Sequence, residues 1–352
     1  MSRYVCDSIN KIAPYVPGEQ PGDRSYIKLN TNENPYYTSP RAIQNIPEDA
    51  LKNLKRYSDP ECSALVSAIA KYYAIDNDNI LVTNGSDEAL AFCFRAYGEA
   101  GLCYADVTYG FYDVIANLFG LNVRHIALRD DFSIDPSDYY GSERTVVIAN
   151  PNAQTGIALS VSDIEDILLK NRDNVVIIDQ AYVDFFGQNA ISLVGRHDNL
   201  IVVNTFSKSR SLAGARVGFV VANKDLIADI KNVKNSFHPY NVNTLSMLLA
   251  KGAIEDDEYF KESVAKIIRT RAFLESGLKK LGFRVLTSSA NFVLASTPLM
   301  SGEVLYKTLK MRGILVRHFN DARIADFIRI TVGTDEETKA LLCVLNQILE
   351  EK

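Results

Sequence analysis

The chain has 352 residues, 47% of them apolar and 23% charged, a balance that excludes global disorder and, at about 150 residues per domain, predicts two domains. Thirty-eight Lys and Arg stand against 43 Asp and Glu, leaving a net charge of −5, which argues against a nucleic-acid scaffold while leaving room for a local basic pocket. No run approaches the ~18 apolar residues of a membrane span, and MSRYVCDSIN (1–10) lacks the charged start and apolar core of a secretory leader.

The expected location is therefore the cytoplasm. Cys6, Cys62, Cys93, Cys103 and Cys343 are odd in number and match no zinc spacing, so they read as scattered reduced thiols. His125, His197, His238 and His318 are isolated, and no metal is expected.

Residues 1–30 are rich in Pro, Gly and polar side chains, as in PYVPGEQPGDR (14–24), and read as an arm. CSALVSAIAKYYA (62–74) carries apolar residues at helical spacing. ILVTN (80–84) reads as a strand ending at Gly85. SDEALAFCFRAYG (86–98) follows as a helix, with Ser86 as candidate N-cap and Asp87 and Glu88 in its first turn. GLCYAD, NVRHIAL, TVVIAN, NVVIID, LIVVN and VGFVVA are short β-branched runs bounded by Asn, Asp or Gly, several apolar throughout, as strands buried on both faces are. With VSDIEDILLKN (161–171) as a helix among them, the alternation predicts an α/β domain with a mostly parallel central sheet. After about residue 245 a long helix over 257–281, the short strands FRVLT, NFVLAS, ILVRHF and FIRITVG, and helices over 302–312 and 335–349 predict a smaller α+β domain. The expected division is an arm (1–30) that packs with the small domain, a large domain (31–245) and the small domain (246–352).

The most informative segment is NTFSKSRSLAGARVGF (204–219). Lys208 follows an apolar strand among Thr205, Ser207 and Ser209, and Arg216 comes eight residues later. A Schiff-base lysine needs a fixed, partly desolvated amine; hydroxyls and an arginine beside it suit a phosphate. VIIDQAY (176–182) ends a buried-type strand on Asp179 and places Tyr182 three residues on. An acid at the carboxyl end of a parallel strand faces the crevice where ligands bind, and there it can pair with a protonated pyridine nitrogen. TNGSDEA (83–89) puts Gly85, Ser86 and Asp87 at a strand-to-helix turn, whose N–H groups favour a phosphate. TYGFY (108–112) offers Tyr109 for stacking on a flat ring. Each has a plainer reading: a surface lysine, a capping Asp, an ordinary helix start, a core aromatic.

Together with LNTNENPY (29–36), RYSDPEC (56–62), NPNAQTG (150–156), SSANFVL (288–294) and FIRITVGT (327–334), in this order and over nearly the whole chain, these segments resemble the fold-type-I, pyridoxal-5′-phosphate-dependent aminotransferases of the class I/II group. Within it they resemble the histidinol-phosphate aminotransferases most. The resemblance implies a fold-type-I α/β architecture and pyridoxal 5′-phosphate as cofactor. Lys208 would hold the cofactor and shuttle the proton, Asp179 would pair with its ring nitrogen, Tyr182 would bond its ring oxygen and Tyr109 would stack on it. Gly85, Ser86 and Asp87, with Ser207 and Arg216, would hold its phosphate. Tyr57 would reach the cofactor of a neighbouring subunit, which implies a homodimer. Arg329, Arg317, Tyr15 and Asn32 would face the substrate, the arginines reading its carboxylate or phosphate.

Two positions depart from the family pattern. Where the family has PNNPTG, residues 151–156 are PNAQTG. The Asn that contacts the ring oxygen is replaced by Ala153, and Gln154 stands in place of Pro, so Asn152 is expected to serve from one position earlier. The family's DEAY is DQAY here, a change away from the pyridinium partner. The implied reaction is transamination of L-histidinol phosphate with 2-oxoglutarate, giving imidazole acetol phosphate and L-glutamate in histidine biosynthesis. The alternatives are an aromatic amino-acid aminotransferase, then an L-threonine-O-3-phosphate decarboxylase. A non-catalytic regulator is disfavoured by the presence of Lys208, Asp179 and Arg216, and a Rossmann dehydrogenase by the lack of G-x-G-x-x-G after the first predicted strand.

Overall fold

The structure is a computed structural model that describes residues 2–10, 12–20 and 26–351; of the expected arm, residues 1, 11 and 21–25 lie outside it. Among the described residues the strands form three sheets. The strands are β1 (Ile27–Lys28), β2 (Ile80–Thr83), β3 (Leu102–Ala105), β4 (Val123–Ile126), β5 (Thr145–Ala149), β6 (Val176–Asp179), β7 (Leu200–Thr205), β8 (Gly218–Ala222), β9 (Arg284–Val285), β10 (Phe292–Ser296), β11 (Ile314–Leu315), β12 (Arg317–His318) and β13 (Phe327–Thr331).

The apolar runs build a seven-stranded sheet in the order β2-β8-β7-β6-β5-β3-β4. Every residue of β5, β6, β7 and β8 is buried. Alternate side chains feed two cores: Val147, Ile177, Val203 and Val220 pack with Leu90, Ile115 and Ile230 on one face, and Val146, Ile178, Val202 and Val221 with Leu65, Ile69 and Ile167 on the other. Burying each such side chain stabilises the fold by about 1.5–3 kcal/mol, which is why these runs show no polar alternation. The sheet is mostly parallel, as expected, but β8 runs antiparallel to both β7 and β2. Parallel neighbours require a crossover of a dozen or more residues, usually a helix. The segment between β7 and β8, 206–217, is at the lower limit of that length and holds no α-helix, only a one-turn 3₁₀ helix, Ala213–Ala215, so the chain turns straight back. Lys208 sits in that return.

Helix Ser86–Tyr97 begins one residue earlier than the N-cap reading of Ser86 requires: the N-cap is Gly85, at φ +83°, and no side chain caps the helix. A Cβ at Gly85 would lie 2.6 Å from Arg216 Nη2, so the position needs glycine both for its backbone and for that close approach.

The second sheet is antiparallel, in the order β12-β13-β10-β9. The single strand expected over ILVRHF is two. Its first half, β11, pairs in parallel with β1, and its second half, β12, with β13. Leu29 N donates to Leu315 O and Thr331 N to Leu29 O, at 2.7 and 3.0 Å, so the segment before Asn30 is stitched to this sheet. The helix Thr244–Glu255 packs against Pro40–Gln44 and Ser63–Tyr73, beside the large sheet, and the long helix Asp257–Lys280 carries the chain to the small one. No helix among the described residues is long and apolar enough to cross a membrane.

Candidate active site

The carboxyl ends of β5, β6 and β7 open onto one crevice, where an open α/β sheet binds its ligands. Asp179 closes its floor. It is 4% exposed, and its Oδ2 accepts from Tyr112 Oη at 2.8 Å and its Oδ1 from Ala181 N at 3.1 Å. Burial pushes its carboxyl up to about 6, and the two donors hold it from rising further. Lys208 is half-buried above it, with Nζ 3.4 Å from Thr31 O and 5.6 Å from the centre of the Tyr182 ring. Tyr182 Oη accepts from Asn32 Nδ2 at 3.0 Å. Asn32 is at φ +55° and is held through Thr331 Oγ1, which accepts from its backbone N at 2.9 Å and donates to its Oδ1 at 3.1 Å.

Beside Lys208 lies a cavity of about 170 Å³ lined by Ser86, Asp87, Tyr109, Asp179, Ser207 and Arg216, among others. The uncapped start of helix Ser86–Tyr97 presents backbone N–H groups here. Gly218 lets β8 approach this turn; a Cβ on it would lie 2.6 Å from Ser86 N. Ser207 Oγ accepts from Thr205 Oγ1 at 3.0 Å. Arg216, in the left-handed region at φ +54°, reaches Asp87 Oδ2 at 3.0 Å, and Tyr109 Oη donates to Asp87 Oδ1 at 2.9 Å. Hydroxyls, helix N–H groups and an arginine make this end an anion site.

A second cavity, of about 440 Å³, shares Thr31, Tyr109, Tyr182 and Lys208 with the first and extends to Tyr15, Asn32, Arg317 and Arg329. Arg317 and Arg329 stand directly opposite on β12 and β13. Like charges in that relation are destabilising, and among the described residues neither has an acidic partner. Arg329 donates from Nη1 to Ala153 O at 2.9 Å and Gln154 Oε1 at 3.0 Å. Its Nε is buried without a partner, and its guanidinium lies 5.1 Å from the ring centres of both Phe292 and Phe319. Burial pulls its pKa down, yet a guanidinium keeps its charge in proteins. Arg317 bonds Val16 O and Pro17 O at 3.1 and 3.3 Å, so it ties the N-terminal segment across the mouth, where Tyr15 packs edge-on against Phe111 at 5.6 Å.

Residues 24–345 match the family model of aminotransferases class I and II. The chain belongs to the class I and II aminotransferases. It is 48% identical over 340 residues to a histidinol-phosphate aminotransferase of Brachyspira hyodysenteriae, covering 96% of each chain. It is 48% identical over 353 residues to that of a Marinomonas species, covering 99% of this chain and 100% of the other. Among solved structures, the histidinol-phosphate aminotransferase of Sinorhizobium meliloti, in complex with pyridoxal-5′-phosphate, superposes with a TM-score of 0.89 at 21% identity over 100% of this chain and 99% of the other, a likeness of fold.

For a member of this family, the crevice gathers most of the residues singled out above: Lys208, Asp179, Tyr182, Tyr109, Ser86, Asp87, Ser207 and Arg216 line the smaller cavity, and Tyr15, Asn32, Arg317 and Arg329 the larger. Gly85 lines neither cavity and is the N-cap of the helix that starts there. Asn152 is not brought in. Its Nδ2 donates to Val107 O at 2.9 Å, and its Oδ1 accepts from Gln154 N and Thr155 N at 2.9 and 3.1 Å, so the amide expected to face the ring oxygen is held by its own loop and by Val107. Ala153 takes the cavity-lining place instead. Tyr57 is 84% exposed and stacks on Tyr240 at 4.7 Å, outside both cavities. Two residues that sequence reasoning passed over are Tyr112, which donates to Asp179, and Gln154, which engages Arg329. The second tyrosine of TYGFY was the available sign of the first, and the break in the family pattern was the sign of the other.

Proposed function

We propose that this aminotransferase uses pyridoxal 5′-phosphate to move the amino group of L-histidinol phosphate to 2-oxoglutarate, yielding imidazole acetol phosphate and L-glutamate in the cytoplasm as a step of histidine biosynthesis. The observation that carries the substrate class is the Arg317–Arg329 pair, two opposed cations with no acidic partner among the described residues, lining the same cavity as Lys208. The names of the relatives at 48% identity support the same reading.

The residues fit the cofactor. The glycines at 85 and 218 let Arg216 and β8 close in on the helix start, where a Cβ would lie 2.6 Å from Arg216 Nη2 and from Ser86 N, the uncapped helix start is ready for a phosphate, and a buried carboxylate waits for a cationic partner. When bound, the cofactor supplies a carbonyl that takes up the amino group and a ring that accepts electron density. Lys208 Nζ holds the cofactor and then moves the proton of the substrate's amine-bearing carbon. Asp179 would pair with the ring nitrogen and keep it protonated, and Tyr109 would offer its face to the ring. Tyr182 Oη, already accepting from Asn32, has its hydrogen free for the ring oxygen. Arg329 and Arg317 orient the substrate's anionic end, and Tyr15 with the N-terminal segment limits access of water.

Tyr112 is a positioning residue for Asp179. Burial holds its own phenol well above its ordinary range, so it remains a donor at neutral pH. Tyr112→Phe removes a hydrogen bond to a charged group, worth about 1.5–3 kcal/mol, or roughly one to two pH units. The acid limb of kcat/KM should move upward by about that amount, and a pH profile superposable on wild type would contradict the assignment.

The active form is read as a homodimer with Tyr57 in the neighbouring site. A groove of about 720 Å³ lined by Phe92, Phe111, Phe119 and Phe237 runs up to Asp87, and an exposed apolar surface of that kind favours association. Tyr57→Phe should hasten cofactor loss on dialysis, and a fully active monomer by light scattering would contradict the shared site. The division into an arm (1–30), a large domain (31–245) and a small domain (246–352) is supported by the separation of the seven-stranded sheet, built from strands before residue 245, from the four-stranded sheet, built from strands after it. The function itself is tested by glutamate formation from 2-oxoglutarate with three donors. L-histidinol phosphate should exceed L-phenylalanine by a wide margin in kcat/KM, and L-threonine-O-3-phosphate should yield no glutamate. Preference for phenylalanine would reassign the substrate to an aromatic amino acid.

A further inference from the structure

Position 154 has a glutamine where the family pattern has a proline, a residue with no polar side-chain atom. Gln154 is 8% exposed, and its backbone is pinned in the turn that Asn152 organises, through Gln154 N to Asn152 Oδ1 at 2.9 Å. Its Oε1 accepts from Arg329 Nη1 at 3.0 Å. A guanidinium has donors only, so the oxygen of the amide must face Arg329 and the NH₂ group must be the other end. That Nε2 has no hydrogen-bond partner among the described residues, and Gln154 lines the larger cavity with Arg317 and Arg329. The glutamine therefore does two things at once. It holds one arm of the guanidinium in a fixed plane, and it leaves two N–H donors next to that guanidinium inside the substrate cavity.

We propose that Gln154 is a specificity-determining residue that favours a phosphate over a carboxylate at the anionic end of the substrate, its Nε2 donating to an oxygen that Arg329 leaves unbound. A carboxylate has two oxygens and is satisfied by one bidentate arginine. A phosphate monoester has three terminal oxygens in a tetrahedral array, so it needs donors from a second and a third side chain. Gln154, bonded to Arg329, and Arg317, opposite it across the two strands, would supply them. Because the amide is neutral, it adds a directed hydrogen bond without adding charge that would bind any anion equally. The amide leaves the second half-reaction open, since the dicarboxylate that enters the same cavity is satisfied by the arginine alone.

This rests on the reading that the first substrate is a phosphate monoester. The test compares wild type with Gln154→Met, which keeps length and packing, and with Gln154→Pro, which restores the family residue. For each cofactor-loaded protein, single-turnover constants are measured with L-histidinol phosphate and with L-glutamate, and inorganic phosphate is titrated as a competitor of L-glutamate. A lost hydrogen bond to a charged group is worth about tenfold or more in affinity. The expected result is a weakening of about tenfold for histidinol phosphate and for inorganic phosphate, at least fivefold larger than the change for glutamate, with the maximal rate little altered. Equal losses for both substrates would mean that Gln154 only positions Arg329, and would overturn the proposal, as would no loss for either. A wild-type protein that converts glutamate but not histidinol phosphate overturns the substrate reading on which it rests; a wild type that converts both, with unchanged variants, overturns the role of Gln154 alone.

Discussion

Lys208→Ala is expected to abolish turnover, by at least about 10⁴-fold, while the fold survives. The two halves of that expectation have separate causes. In the proposed function Nζ is the nucleophile and the proton carrier, and among the described residues no other amine lines the smaller cavity. Structurally the side chain contributes little: its hydrogen bond to Thr31 O is long, at 3.4 Å, and among the described residues it makes no close ion pair. The return between β7 and β8 is held by its neighbours. Phe206 N donates to Val217 O at 3.0 Å and Leu212 N to Phe206 O at 3.1 Å. Arg210 bonds Ala253 O at 2.7 Å and lies 3.9 Å from the centre of the Phe260 ring. The melting temperature should therefore stay within a few degrees of wild type. A variant that turns over normally would remove Lys208 from the chemistry; one that unfolds would show that the loop depends on it.

Asp179→Asn is expected to lower kcat/KM by about 10²–10³-fold, the size of effect found when one preorganised electrostatic contact is lost, and at the same time to make the cofactor-free protein more stable above pH 6. Burial raises the folded-state pKa of Asp179 to about 6, against roughly 3.9 in an unfolded chain. Between those values the folded state binds more protons than the unfolded state, so the stability of the cofactor-free protein falls as pH rises through the window. The penalty is absent below about pH 4 and complete above about pH 6, where it reaches roughly 3 kcal/mol. An asparagine does not titrate and lacks it. Thermal melts of both cofactor-free proteins from pH 4 to pH 8 should diverge as pH rises, wild type falling relative to the variant. Parallel curves would mean that Asp179 is not the buried acid described here. The acid is thus retained against the stability of the empty protein, as expected of a group whose partner arrives with the ligand.

Much of this was legible in the chain. Runs such as TVVIAN and VIID declare buried strands because nothing polar interrupts them, and Lys208, Asp179 and the 84–88 turn each follow such a run, which is enough to place them on one edge of a sheet. What was not legible depends on contacts between distant segments. The reversal of β8 follows from the lack of a crossover, not from VGFVVA, which is as apolar as its parallel neighbours. The N-cap at Gly85 follows from the closeness of Arg216, more than a hundred residues on. ILVRHF breaks in two because the residues before Asn30 compete for its first half. Asn152 looked free to face a ligand because its partners, Val107 O and two amides of its own loop, are backbone groups with no sequence signature. Arg317 and Arg329 were each visible, but their opposition across two strands, which turns two surface-like arginines into an anion site, required the register of β12 on β13.

The most direct test of the account is a single-turnover absorbance measurement on protein loaded with pyridoxal 5′-phosphate, mixed with L-histidinol phosphate in the absence of any keto acid. The account predicts rapid loss of the absorbance of the lysine-bound cofactor and full conversion to the pyridoxamine form, faster than with L-phenylalanine at the same concentration. Conversion only with phenylalanine would contradict the phosphate-reading role of Arg317 and Arg329, and no cofactor absorbance at all would contradict the assignment of the crevice around Lys208 and Asp179.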